Sequence, residues 1–382
     1  MTIGVLRETY PGEQRVALVP AHTAALVKAG TAVLLEAGAG EFAGHPDQEY
    51  RNKGAEVVAD AAEVLARANV LLTVRFAAAA DSDAAQLDQL QPGAAVIGLL
   101  DPFQPHSSFA RLRDGGVSSF AMELMPRITR AQSMDVLSSM ANLAGYKAAL
   151  MAADNLPKML PMMMTAAGTI VSARAFVVGA GVAGLQAIAT ARRLGALVSA
   201  YDVRPAVKEQ VQSLGARFVE IELQAEDAES SDGYARQMDQ EFYHKQRQLM
   251  SGVLAESDIV ITTAAVPGKP APVLITQQMV EAMGRGSVIV DLAAERGGNC
   301  ELTRAGETVQ HNGVTILGPL NLASTLARDA SQLYSKNITT FSEVMRKDGE
   351  LVIDLQDEII AATVVTHAGS VPNQETRSRL QL

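Results

Sequence analysis

Residues Arg174 to Asp202 read RAFVVGAGVAGLQAIATARRLGALVSAYD, and this stretch decides the fold. Ala175 to Val178 form an apolar, partly β-branched run suited to a buried parallel strand. Gly179, Gly181 and Gly184 follow at once as G-x-G-x-x-G, and Leu185, Ile188, Ala189, Arg192 and Leu194 continue at helical spacing. In such a unit the first two glycines let backbone turn tightly and approach a pyrophosphate. The third lets helix and strand pack closely, with the helix N-terminus facing the phosphates. Asp202 closes the next apolar strand, Leu197 to Tyr201. A carboxylate there accepts from both ribose hydroxyls and repels a 2′-phosphate, so the expected nucleotide is NAD(H) rather than NADP(H). A glycine triplet alone would not carry this. Gly38, Gly40 and Gly44 also follow an apolar run, Ala32 to Leu35, but the spacing is one residue too long and His45-Pro46 stand where a helix should already run. That cluster reads as a loop.

Outward from this unit, the chain repeats strand and helix patterns. Before Pro126 the apolar or helical runs are Thr2–Leu6, Ala21–Lys28, Ala32–Leu35, Ala61–Ala66, Val70–Val74, Ala94–Leu100, Phe109–Arg113 and Ser119–Met122, with a strand reaching Met125. After Gly145 strands begin again near Ala175, Leu197, Arg217, Asp258, Ser287 and Val314. The expected class is α/β, with two Rossmann-like, doubly wound parallel-sheet domains joined by linking helices at Leu137–Met151 and Ser324–Lys336. Strand-like runs at Leu351–Leu355 and Ala362–Val365 come too late for the second sheet and are expected to return to the first. The expected domains are therefore 1–136 plus 337–382, and 137–336.

With 382 residues and 48% hydrophobic content, the chain can bury two ordinary cores. A net charge of −10, without a Lys/Arg block, argues against nucleic acid. Cys300 is the only cysteine, which excludes a disulfide framework or thiolate metal site and suits a reducing compartment. The six histidines, at 22, 45, 106, 244, 311 and 367, have no ligand spacing, so no metal site is expected. The opening residues show no signal pattern. The longest charge-free apolar segment, Ala175 to Ala191, is shorter than the ~20 residues a spanning helix needs.

Two polar segments interrupt this pattern. Gln224 to Gln240, QAEDAESSDGYARQMDQ, is too long for a plain βα connection and is either a lid or a solvated acidic loop. After Pro126 come Arg127, Thr129, Arg130, Gln132, Ser133, Asp135, Ser138 and Ser139. Their donors and acceptors could orient a nicotinamide carboxamide, or Ser133 or Asp135 could cap the helix that follows. Met162 to Met164 read as core filler.

The run MELMPRITRAQSMDVLSSMANLAGY, from Met122, resembles the nicotinamide-site loop of the proton-translocating NAD(P) transhydrogenase family, in its NAD(H)-binding alpha component. The likeness extends through RETYPGEQRVALVP from Arg7, PMMMTAAGTI from Pro161, GVAGLQAIATARRLGA from Gly181, DVRPAVKEQVQSLG from Asp202, PGKPAPVLIT from Pro267 and DLAAERGGNC from Asp291. It runs to about Lys336 and weakens beyond. Alanine dehydrogenase shares the architecture, but amino-acid oxidation needs an arginine, a lysine and a histidine acid/base. Here Asp101 stands at the histidine's place, Arg75 at the lysine's and Glu295 at that of a further aspartate, while Arg15 alone matches. Hydride transfer between nicotinamides needs no proton donor.

The resemblance implies that Arg127, Gln132, Asp135 and Ser138, with Ile128 and Thr129, hold the nicotinamide, its ribose or the partner nucleotide. It places Val182, Asp202, Val203 and Arg204 at the adenosine half, Gln246 and Ala265 in the pocket wall, and Gly233 and Tyr234 in a loop that closes over NAD(H). It further implies a homodimer at the cytoplasmic membrane face, working with an NADP(H)-binding component and a membrane-spanning proton channel supplied by other chains. The alternatives are an alanine dehydrogenase-like enzyme and a non-catalytic NAD(H) sensor.

Overall fold

The computed structural model describes residues 1–75, 84–220, 240–266 and 268–382, excluding the side chains of 84–85 and 240–245. The chain divides into two units, Met1–Met140 with Ala323–Leu382, and Ala141–Leu322. Among the described residues no helix is long and apolar enough to cross a membrane.

In the first unit six parallel strands, β1 (Thr2–Val5), β2 (Ala32–Glu36), β3 (Glu56–Val58), β4 (Val70–Arg75), β5 (Ala95–Leu99) and β6 (Ser118–Ala121), lie in the order β6-β5-β4-β1-β2-β3. Val364–Thr366 adds an antiparallel edge beside β6. β4 is buried from Val70 to Val74, as a parallel strand covered on both faces should be. The Gly38–Gly44 segment is a loop: Gly38 and Gly44 have φ of +78° and +75°, and the turn between them holds only Glu41–Ala43 in 3₁₀ form.

Three expectations fail for local reasons. The strand expected to reach Met125 stops at Ala121, because the next turn, Met122–Leu124, brings the Glu123 carboxylate back onto the Leu100 and Asp101 amides. Leu351–Leu355 pairs only at its start, Glu350–Leu351, against Arg346–Lys347; Asp354 then opens a turn by accepting from Gln356 N. Ala362 and Thr363 finish a helix, Glu358–Thr363, that Asp357 caps through Ile359 N and Ile360 N, so the last strand begins only at Val364.

In the second unit β7 (Arg174–Val178), β8 (Leu197–Tyr201), β9 (Arg217–Phe218), β10 (Ile259–Thr262), β11 (Val288–Asp291), β12 (Thr308–His311) and β13 (Val314–Leu317) form one sheet in the order β9-β8-β7-β10-β11-β13-β12. Only β12 runs antiparallel. Alternate residues of each strand feed two cores. Ala175, Val177, Ile259, Ile261, Val288 and Val290 face one cluster, and Phe176, Val178, Val260 and Ile289 face the other. The first cluster is covered by α2 (Val182–Arg193) and by the C-terminal part of α1 (Val136–Asn155), the second by α3 (Gln240–Ala255). The chain leaves β7 first toward β8 and later returns to β10 on its other side, which places the topological switch, and hence the ligand crevice of such sheets, at the C-terminal ends of β7 and β10.

Met162 and Met164 are not core filler. They stand 62% and 75% exposed around an antiparallel hairpin, Met163–Thr165 with Gly168–Ile170, which carries few residues and packs little apolar surface of its own.

Candidate functional site

At the switch point the glycines do what the sequence asks of them. Gly179 has φ +96°, a left-handed conformation that disfavours side chains, and a Cβ there would meet Thr263 Oγ1 at 2.6 Å. A Cβ on Gly184 would lie 1.8 Å from the Gly179 carbonyl oxygen, so only glycine lets α2 start against the end of β7. Gly181 is the N-cap of α2 and no side chain caps this end. The first-turn amides are therefore directed to whatever lies above the loop, the arrangement that binds phosphate. Val182 is 36% exposed in that first turn.

Asp202, buried at the end of β8, faces the same loop. Its Oδ2 accepts from Ala180 N at 2.7 Å and Arg204 Nη2 at 2.9 Å, while Oδ1 accepts from Arg204 N at 2.8 Å and Arg204 Nε at 2.9 Å. Three of those four bonds come from Arg204. Val203 packs partly buried against the core between them. Gln246 of α3 is buried and hydrogen-bonds the Tyr201 hydroxyl; burial dominates at that phenol and pushes it up to about 12. Gln246 thus stands next to the residue preceding Asp202. Ala265 is exposed in the segment after β10. Gly233 and Tyr234 lie outside the described residues.

Sequence reading missed the residues that hold this crevice open. Thr263 donates through Oγ1 to Gly179 O at 3.0 Å, tying the two diverging loops together. Asn299 accepts from Ala264 N at 3.0 Å and donates through Nδ2 to Ala264 O at 2.8 Å and Pro272 O at 2.9 Å, so one amide holds the wall on which Ala265 sits. Asp291, with no solvent exposure, in turn holds Asn299: it accepts from Asn299 N, Cys300 N and Thr303 Oγ1 on Oδ2, and from Thr262 Oγ1 and Ala293 N on Oδ1. An acid at a strand end followed by G-G-N was the available signal.

In the first unit the polar loop is ordered by its own chain. Asp135 caps α1, accepting from Ser138 N at 2.9 Å and Ser138 Oγ at 2.6 Å, so the capping role weighed for it is real. Ile128 O accepts from Ala131 N, and Thr129–Met134 is a 3₁₀ turn. Arg130 binds Asp357 bidentately at 2.7 and 2.8 Å, and Asn337 donates to Ser133 O at 2.9 Å. Arg127, Thr129 and Gln132 are exposed on this turn, beside the half-buried Asp135 and Ser138.

Beyond the C-terminal ends of β1, β4 and β5 lies a second set of charged groups. Glu8 accepts from Val74 N, Arg75 N and Thr73 Oγ1; Glu123 accepts from Leu100 N and Asp101 N. Burial outweighs these bonds and pushes each carboxyl up to about 7. Arg15, buried, forms a bidentate pair with Glu13 at 2.7 and 2.6 Å. Arg75 lies 4.1 Å over the Tyr10 ring, and Asp101 adopts φ +49°. His106 hydrogen-bonds Leu100 O and stacks on Phe109, so its imidazole serves the loop.

Residues 4–144 match the domain family described as alanine dehydrogenase/PNT, N-terminal domain, and residues 148–374 its C-terminal domain. The chain belongs to the alanine dehydrogenase/PNT family. Within it, the chain is 45% identical to a protein from Rhodospirillum rubrum named as the first portion of NAD(P) transhydrogenase subunit alpha, over 97% of both chains. It is 43% identical to the protein of the same name from Rickettsia prowazekii, over 100% of this chain and 98% of that one. A solved transhydrogenase from Sinorhizobium meliloti superposes with a TM-score of 0.87 at 48% identity, covering 97% of this chain and 100% of that one. An alanine dehydrogenase from Halomonas elongata is 28% identical over 97% of this chain and 94% of its own, a more distant relative.

Proposed function

We propose that this chain is the NAD(H)-binding component of a proton-translocating transhydrogenase, which exchanges hydride between NAD(H) held here and NADP(H) held by a partner component, while a membrane-spanning component moves the proton. The chain would attach peripherally to the inner membrane face through those partners. Full-length likeness to proteins named as the alpha subunit supports this over the family's amino-acid dehydrogenases. The observation that carries it is Asp101. Amino-acid oxidation needs an imidazole to move protons as an imine forms. At that strand end this chain offers Asp101, and the matching arginine, Arg15, is engaged by Glu13. Bound nicotinamide supplies the hydride carbon and needs only placement and exclusion of water.

In this reading the α2 N-terminus and Gly179–Gly184 hold the pyrophosphate, Asp202 the adenosine ribose, and Val182, Val203, Arg204, Gln246 and Ala265 the surrounding wall. Arg127, Ile128, Thr129, Gln132, Asp135 and Ser138 orient the nicotinamide half. The hairpin at 163–170, with Met162, Met164, Ile170 and Val171 exposed, is an open strand edge with apolar flanks, which supports association of two copies.

The test mixes the purified chain and NADH with a separately purified NADP(H)-binding component and follows reduction of an NADP⁺ analogue. Transfer that needs both components is expected. Alanine-dependent reduction of NAD⁺ by this chain alone would overturn the reading, and NADH binding with no transfer to any such partner would leave a sensor.

A further inference from the structure

The bonds around Asp202 show more than an acid awaiting a ribose. Three of the four come from one residue, Arg204, and its guanidinium lies against the carboxylate with a side-chain exposure of 13%. Arg204 Nη2 also lies 3.9 Å from where a Cβ on Gly181 would stand, which puts the charge over the glycine loop rather than out on the surface. Arg204 stands three residues past the second strand and is turned toward that loop, and sites of this fold that accept a 2′-phosphate carry an arginine near this region. Here both kinds of recognition group are present, and the acid holds the base.

We propose that Arg204 is the guanidinium of a 2′-phosphate subsite that Asp202 keeps closed, and that the pair, not the carboxylate alone, sets nucleotide choice. With Asp202 in place, a 2′-phosphate meets a carboxylate at its own position and a guanidinium whose Nε and Nη2 are already turned onto that carboxylate. With the carboxylate removed, the same guanidinium is freed from it and can donate bidentately to phosphate oxygens. Repulsion alone predicts something different: removing the acid should help NADPH whether or not Arg204 remains. The inference rests on the nucleotide reading of the second unit, which NADH binding by the parent tests separately.

Titration calorimetry with NADH and with NADPH on the whole chain separates these cases, using the parent, Asp202→Asn, Asp202→Ala, and each combined with Arg204→Gln. Thermal melts confirm that each variant is folded. Asparagine can keep the Ala180 N contact through its oxygen, and alanine removes any residual hold on the guanidinium, so the two substitutions check one another. The parent is expected to bind NADH and to bind NADPH far more weakly. Either single change should raise NADPH affinity roughly ten- to hundredfold, the value of a charge-assisted contact, and Arg204→Gln should cancel that gain. A gain that survives Arg204→Gln overturns the proposal in favour of simple repulsion, and so does no gain in either single variant. If the parent binds neither nucleotide, the reading of the site itself falls and this proposal with it.

Discussion

Asp291→Asn is the substitution whose consequences the structure defines most closely. The parent side chain accepts five hydrogen bonds, at 2.7–3.0 Å, three of them on Oδ2. Asparagine can keep its oxygen at the Oδ2 position and still accept from Asn299 N, Cys300 N and Thr303 Oγ1. Its amide then faces Ala293 N, donor against donor, whereas the Thr262 hydroxyl can rotate to accept. One buried backbone donor is left without a partner, at about 1–3 kcal/mol, and the three retained bonds lose charge assistance worth ~1 kcal/mol each. Relief from burying a charge offsets part of this, leaving a net loss of about 2–4 kcal/mol. For a unit of 150–250 residues that lowers Tm by roughly 4–16 °C. Calorimetric melting should show the drop. Because Asp291 holds Asn299 and Asn299 holds Ala264, NADH affinity should fall together with stability. A Tm within about 2 °C of the parent, or a large drop with NADH binding untouched, would refute the chain of support drawn here.

Other outcomes follow from single contacts. Gly184→Ala should lower NADH affinity at least about tenfold, since its Cβ would lie 1.8 Å from Gly179 O and must push the loop off its geometry; unchanged affinity by calorimetry would remove the cradle. Glu123, raised from 4.5 to about 7 chiefly by burial, favours the fold most below pH 4.5, and this contribution declines as pH rises to about 7. Urea unfolding of the parent relative to Glu123→Gln should therefore lose up to ~3 kcal/mol between those pH values, and a flat difference would contradict the shift. Asp135→Asn keeps a good helix cap, so melting should barely change while hydride transfer with the partner drops; equal transfer rates would leave Asp135 as a cap alone. Met164→Glu with Val171→Glu should shift sedimentation toward monomer, and an unchanged species would free the hairpin from any dimer role.

How much was legible depended on range. The β7–α2–β8 unit was readable because strand, glycines, helix and acid are consecutive, and each obeys a local rule of burial, φ or capping. Long periodic helices were also readable, although α1 runs to Asn155, beyond the expected Met151. β3 escaped notice because three residues carry no period, and β12 because its burial alternates only weakly along an antiparallel edge. The exposed methionines misled for a simple reason: an apolar run names a surface to be covered, not what covers it. Among the site residues, Asp202 was legible as an acid but its occupation by Arg204 was not, since a bond between residues two apart depends on how the chain turns after β8. Asp291 and Asn299 act across 29 and 35 residues of sequence, a distance no local pattern spans.

If the proposed function holds, the C-terminal ends of β1, β4 and β5 are where one architecture parts with a chemistry and stays folded. The resemblance implies that an alanine dehydrogenase would carry a lysine and a histidine beyond β4 and β5. Here the same positions are satisfied internally. Arg75 rests on Tyr10, Arg15 is neutralised by Glu13, and Glu123 spends its carboxylate on the amides of Leu100 and Asp101. Each of these contacts gives a charged group a partner within the chain, and for Arg15 that partner is a full counter-charge. Glu8 completes the pattern by capping the end of β4 through Val74 N and Arg75 N. In the proposed function, where Asp101 stands at the place the resemblance gives to an imidazole and Arg15 is held by Glu13, this chain would need only the part of the fold that places a nicotinamide nucleotide. Transfer between two such nucleotides asks for nothing more of its side chains than position.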